Sequence, residues 1–224
     1  MTSAVRPRGL VLDWGGVLTT DVREALASWA ASERIPLDGV RTAFARWLGP
    51  TEAEREMVNP VHLLERGELE VAEFERFLVR ALEPTDGHRL EPEGLLARMF
   101  AHFAQAQAMT ALVWRAREAG LSTALLSNSW GNSYPAETWQ GMFDAVVISG
   151  EVGMRKPEPQ IYHHTCDLLG LAPGECVFVD DLAHNVSAAV TVGMIGVHHT
   201  SYAQTVSELS VLFDLDLSGN GDVE

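Results

Sequence analysis

Four short apolar runs, Gly9 to Asp13, Ser122 to Ser127, Cys176 to Asp180 and Met194 to His198, dominate the constraints on this chain. Each has strand length, and the sequence between the later ones has helical periodicity, as in Gln160 to Leu169 and Ala183 to Val192. Gly170 and Gly193 follow those two stretches as C-terminal stops. A weaker fifth strand reads from Ala145 to Ser149. Runs apolar on both faces and alternating with helices predict an α/β fold: a Rossmann-like, three-layer parallel sheet core covered by helices on both sides.

From Thr20 to Gln107 the alternation stops, and the pattern is helical only: Val22 to Glu33, Leu37 to Leu48, Pro60 to Arg66, Val71 to Leu82 and Glu93 to Ala106. Pro36, Gly49-Pro50, Pro60, Gly67, Pro84 and Pro92 punctuate it. The expected organisation is an α/β core of residues 1–19 and 108–217, an α-helical cap inserted at 20–107, and a disordered tail at 218–224. Trp29, Phe44, Trp47, Phe74 and Phe77 recur at helical spacings and are the expected core of the cap, some of them facing a crevice.

The chain of 224 residues carries 16 basic and 31 acidic side chains, a net charge of −15. That balance argues against a nucleic-acid or anionic-membrane partner. No apolar run reaches the roughly 18 residues of a spanning helix. Cys166 and Cys176 are too few for a disulfide scaffold, so a cytoplasmic setting is expected, as a monomer or homodimer. One feature of the charge inventory stands out. Lys156 is the only lysine, the other fixed cations being arginine, and it lies in Val152-Gly153-Met154-Arg155-Lys156-Pro157-Glu158-Pro159. A compact ammonium fits between anionic oxygens where a guanidinium fork does not.

Three strand candidates end in polar residues: Asp13-Trp14-Gly15-Gly16, Ser127-Asn128-Ser129 and Asp180-Asp181. In an open parallel sheet, ligands bind beyond the carboxyl ends of the strands, so these segments converge on one crevice. Singly, each has a plainer reading, since Asp, Ser and Asn at a strand end form turns or cap helices. Together, Asp13, Asp180 and Asp181 gather carboxylates that repel by roughly 4 kcal/mol per pair at 4 Å and an effective dielectric near 20. A cation must neutralise them, and oxygen ligands favour Mg²⁺. A divalent cation and an ammonium facing a carboxylate suit the holding of a phosphoryl group for in-line attack. Gly15 and Gly16 leave backbone N–H groups open to phosphate oxygens, Ser127 and Asn128 add donors, and Asp13 becomes the nucleophile of an aspartyl-phosphate route. Trp14, beside it, either walls the pocket or packs in the core. Neighbouring histidines, His163-His164 and His198-His199, point apart on a helix or strand and do not chelate as pairs.

These four segments, Asp13-Trp14-Gly15-Gly16-Val17, Ser127-Asn128, Lys156-Pro157 and Asp180-Asp181, resemble the haloacid dehalogenase-like hydrolase superfamily. The run from Val152 to Tyr162, and Phe178 to Asp181 with Asn185, are most similar to the N-terminal phosphatase domain of soluble epoxide hydrolases. The resemblance implies a Mg²⁺-dependent phosphatase acting on a small phosphorylated metabolite. It makes Asp13 the nucleophile and a metal ligand beside the Gly15 carbonyl, Asp181 and the adjoining Asp180. It has Ser127 and the Asn128 backbone hold phosphate, with Lys156 bridging phosphate and Asp13.

One position departs from the family pattern. Gly15 stands where family phosphatases carry a second Asp as general acid and base, a role worth roughly 10²–10⁴ in rate. Substrates with good leaving groups, a borrowed donor such as Thr19 or Thr20, or a weakly catalytic phospho-ligand binder are the resulting alternatives. Family dehalogenases also lack that Asp, but they work without metal and do not need the paired carboxylates. Mutase chemistry is disfavoured because it uses the missing group twice, and a Schiff-base hydrolase is excluded by the absence of a second lysine.

Overall fold

The structure, a computed structural model, describes residues 6–48, 59–82, 87, 89–131 and 134–219. In chain order its elements are β1 (Gly9–Leu12), α1 (Val22–Ser32), α2 (Leu37–Leu48), α3 (Pro60–Glu65), α4 (Val71–Ala81), α5 (Leu95–Phe100), α6 (Gln107–Glu118), β2 (Ser122–Ser127), β3 (Ala145–Ile148), α7 (Ser149–Val152), α8 (Pro159–Leu169), β4 (Cys176–Asp180), α9 (Ala183–Thr191), β5 (Ile195–His198) and α10 (Tyr202–Phe213). All five strands are parallel, in the order β3-β2-β1-β4-β5.

Period-two alternation distributes each strand between two cores. Leu10 and Leu12 of β1 join Leu125, Val177 and Val179 on one face, where α6 and α10 bring Leu112, Val113, Leu209 and Phe213. Val11, Ala124, Leu126 and Phe178 occupy the other face against Ile161, Tyr162 and Cys166 of α8 and Ala189 of α9. The helix–sheet–helix layering expected from the runs is thus present, and both cysteines are buried, free core residues. β1 sits centrally, with Gly9 opposite Ser122 on one side and Cys176 on the other. The chain order reverses there, which opens the crevice beyond Leu12.

Helices α1–α5 close around a third core that includes Trp29, Phe44, Leu64, Phe74, Leu78, Leu95 and Met99. Local chemistry sets several of their starts. Asp21 caps α1 by accepting from the Arg23 amide at 2.6 Å, and Asn59 caps α3 through the Val61 amide at 3.0 Å. The N-cap position of α5 is Gly94, which has no side chain to offer. The buried carboxylate of Glu75 from α4 accepts from the Gly94 and Leu96 amides instead.

Two expectations need correcting. The helix anticipated over Glu93 to Ala106 is confined to Leu95–Phe100. Tight bonds from His102 N to Met99 O and Phe103 N to Phe100 O end it, and the chain then straightens. Thr20 N donates to Ala104 O and Ala106 N to Leu18 O around a Thr19–Gln105 antiparallel bridge. The outgoing and returning connections therefore satisfy each other's backbone groups where they pass the sheet. Phe77, expected in the core of the helical segment, is not in that third core. It is 38% exposed on the flank of α4, with the Arg80 guanidinium over its ring, while Phe74 and Leu78 take the inward positions.

Gly49-Pro50, Pro84 and residues 220–224 of the expected tail lie outside the described residues. No described helix is long and apolar enough to cross a membrane.

Candidate active site

The three central strands deliver their polar ends to one place. Asp13 follows β1, Ser127 ends β2 and Asp180 ends β4. Lys156 comes from the loop between α7 and α8 and is 1% exposed. Its ammonium lies 2.8 Å from Asp13 Oδ1 and 2.6 Å from Asp180 Oδ2. One compact, buried cation thus bridges two carboxylates at the base of the crevice, and removing one charged partner from such a set costs about 3–5 kcal/mol.

Hydrogen bonds fix the rest of this set. Asp13 Oδ1 also accepts from the Trp14 amide at 2.7 Å, which leaves Oδ2 without a donor among the described residues. Asp180 is saturated: Oδ1 accepts from the Leu182 amide at 2.8 Å, and both oxygens accept from Asn185 Nδ2 at 3.2 and 3.1 Å. Asn128 clips the Lys156 backbone in both directions, donating Nδ2 to its carbonyl at 3.0 Å and accepting its amide on Oδ1 at 2.8 Å. The Asn128 side chain is therefore committed to holding Lys156, so only its backbone is left for an anion. Gly16 N donates to Thr19 Oγ1 at 2.9 Å. Gly16 has φ of +71°, and a Cβ on it would lie 2.5 Å from Asp181 Oδ2; a bare α-carbon is what lets Asp181 approach.

Asp13, Asp180 and Asp181 each place an oxygen within 4.8 Å of the others. Burial, offset in part by Lys156 and reinforced by Asp180 and Asp181, pushes the Asp13 carboxyl up to about 8. Burial and the Asp180 charge push Asp181 up to about 6. The Lys156 ammonium is lowered by burial but raised further by Asp13 and Asp180, so it stays charged. Crowded carboxylates under this strain are the donor set a hard divalent cation relieves. Beside them Asn185 Oδ1 is buried with no partner among the described residues, an acceptor suited to a cation's bound water. The residues present fit Mg²⁺.

Above this floor opens a cavity of about 820 Å³, bounded by the sheet ends and by α1, α2 and α5. Trp14 is both wall and core: it lines the cavity, is 7% exposed, and packs on Phe103, Phe100 and Tyr134. His198 and His199 line the cavity too, but each ring has a separate partner, the Asp181 carbonyl and Thr205 Oγ1.

Sequence reasoning missed two groups. Tyr134 reaches Ser127 Oγ with its hydroxyl at 2.9 Å, and burial holds its phenol protonated well above the usual range despite that bond. Glu65 of α3 is buried, accepts from Trp130 Nε1 at 3.0 Å and pairs with Arg155, the neighbour of Lys156. An acid on the inward side of α3, next to Leu64, was a readable signal for Glu65. Tyr134 offered none, because its approach to Ser127 depends on the path of the loop.

A family model described as haloacid dehalogenase-like hydrolase matches residues 7–193. The chain is 41% identical over 71 residues to the sesquiterpene phosphatase astK of Aspergillus oryzae, covering 32% of this chain and 36% of that protein. It is 35% identical over 97 residues to the bifunctional epoxide hydrolase 2 of Mus musculus, covering 39% of this chain and 18% of that protein. The chain thus spans well under half the length of these relatives. Among solved structures, a HAD family enzyme from Bacteroides thetaiotaomicron, in complex with magnesium and inorganic phosphate, shares the fold at a TM-score of 0.62. It is 20% identical, over 86% of this chain and 93% of that one.

Proposed function

Because this chain belongs to the haloacid dehalogenase-like hydrolases, we propose that it is a Mg²⁺-dependent phosphatase of small phosphorylated metabolites, working through an aspartyl-phosphate on Asp13. The observation that carries this is the Lys156 ammonium bridging Asp13 and Asp180 while Asp181 faces the same point across a carboxylate cluster. Phosphatases among the relatives support the same reading.

Asp13 Oδ2, the oxygen without a donor, attacks phosphorus as the bond to the leaving oxygen breaks, and the alcohol departs with a proton from solvent. Lys156 favours the ionised form of Asp13, aligns it and offsets charge on the phosphoryl oxygens. Ser127 Oγ–H and the Gly15 and Asn128 N–H groups hold those oxygens. Water then attacks the phosphorus and frees Asp13 and inorganic phosphate. Asp13, Asp181 and the Gly15 carbonyl would hold Mg²⁺, with Asp180 behind them fixing Lys156. The cation, when bound, neutralises charge gathered between nucleophile and phosphate. With no acid at Gly15, aryl, acyl and anomeric phosphates are turned over faster than alkyl phosphates.

Phosphate release from a panel of phosphorylated metabolites, with Mg²⁺ and with EDTA, tests the proposal; equal rates in both, or none on any ester, would overturn it. The same glycine favours one rival, a 2-haloacid dehalogenase. Halide release persisting in EDTA would identify it. Ligand affinity without turnover would identify a silent phospho-ligand binder.

A further inference from the structure

Resting on the phosphatase reading, we infer that the alcohol carried by the phosphate is apolar: the cavity takes monoesters of aryl or long-chain alkyl alcohols in preference to sugar and polyol phosphates. Three observations converge on this. First, the wall that rises from Asp13 is carbon. Trp14 lies between Phe103, 6.0 Å away and nearly parallel, and Tyr134, 5.0 Å away and edge-on, with Phe100 adjoining at 5.9 Å. Phe44 and Leu26 add further apolar lining.

Second, several polar groups of the lining are already engaged. Tyr134 OH is bound to Ser127, Thr19 Oγ1 to Gly16 N and the Thr20 carbonyl, and Glu65 to Trp130 and Arg155. A polyol would strip its hydroxyls of water there and find few partners in exchange, which weakens binding sharply. Third, fixed positive charge in the lining is sparse. The fixed cations lining the cavity are Lys156, already between two carboxylates, and Arg23, which is exposed to solvent. Asp13, Asp21, Glu65 and Asp181 line it as well, so a second phosphate or carboxylate on the substrate meets repulsion.

The size agrees. A cavity of about 820 Å³ lies within the roughly 300–1,000 Å³ that encloses drug-sized ligands and far exceeds what a phosphate alone needs.

The test uses matched esters, so that leaving-group chemistry stays constant: ethyl, butyl and octyl phosphate against glycerol 3-phosphate, and phenyl against 1-naphthyl phosphate. We expect kcat/KM to climb by about fourfold per methylene until the cavity fills, and glycerol 3-phosphate to fall below butyl phosphate by at least about tenfold. Phe103→Asn is expected to flatten the chain-length series and Phe103→Leu to keep it. A flat series in the wild type, or glycerol 3-phosphate as the better substrate, overturns the inference. Calorimetry with ethylphosphonate and octylphosphonate separates this from the activity. Tighter octylphosphonate binding without turnover of any ester sinks the phosphatase reading and keeps the apolar pocket. Mg²⁺-dependent turnover of acetyl phosphate with no chain-length effect does the reverse.

Discussion

Lys156 shows how much a single side chain can be constrained. Its ammonium has two carboxylate oxygens within 2.8 Å and its backbone is clipped by Asn128, so both ends of the residue are fixed. Arginine keeps the charge but not the size. Lys156→Arg is expected to lower kcat on acetyl phosphate by about 10²-fold or more, and near-wild-type turnover would remove Lys156 from its bridging role. Gly15 makes the opposite case. A Cβ there meets nothing nearer than Val22 Cγ2 at 4.0 Å, so a carboxylate can be added without displacing the floor. Gly15→Asp is expected to raise turnover of alkyl phosphates by at least tenfold, toward the roughly 10²–10⁴ of general acid catalysis, with little change on acyl phosphates. A leaving-group series on the variant checks this; unchanged alkyl rates would mean another group already donates the proton. Asp13, Ser127 and Asp180 were legible because strand ends in a parallel sheet have a known destination, and Lys156 because it is the chain's one lysine. Tyr134 was not, since a hydroxyl that meets Ser127 from a loop is a product of tertiary packing; Glu65 showed only as an acid beside Leu64 on α3, its pairing with Arg155 being set by another layer.

At the scale of elements, α3 is the piece that ties the helical layer to the site. Glu65 pairs with Arg155, both nearly buried, and Arg66 pairs with Glu158, each over a quarter exposed. The exposed pair contributes at most about 1 kcal/mol, whereas breaking the buried one costs about 3–5 kcal/mol. Glu65→Ala should therefore lower unfolding free energy by about 3 kcal/mol in denaturant titrations and raise KM by several-fold as α3 loosens over the cavity. Arg66→Ala should change either by far less. Equal effects would show that the two pairs act as one. Strand limits were readable to within a residue, because β1 and β4 run from full burial straight into Asp13 and Asp181. The end of α5 was not, because the segment after its closing turn is held straight by backbone pairing with Leu18 and Thr20, more than eighty residues earlier.

Across the whole molecule, the strain in the carboxylate cluster becomes a dependence on pH. Asp13 and Asp181 titrate at about 8 and about 6 in the fold, against about 3.9 in an unfolded chain. Without Mg²⁺ the folded form keeps protons that the unfolded chain has lost. The contribution of these two groups to its stability is accordingly full below about pH 4 and is lost as pH rises towards 6 and 8. Mg²⁺ needs the ionised ligands, so its affinity should grow over the same interval. Thermal melts in EDTA are expected to fall between pH 5.5 and 8, and the upward shift produced by Mg²⁺ to widen, reaching about 2.7 kcal/mol at a concentration a hundred times the Kd. A Mg²⁺ shift independent of pH would contradict the assignment of Asp13 and Asp181 as its ligands. The parallel sheet and its layering were legible in the alternation of runs; the strand order was not stated by them, and neither was the titration, because it arises only when residues 13, 180 and 181 are pressed together out of water. The sole lysine, sealed at 1% exposure, carries a practical corollary. The folded exterior presents no side-chain amine, so acylating reagents can tag a lysine only in molecules whose catalytic floor has come apart, and the rate of tagging becomes a clock for that opening.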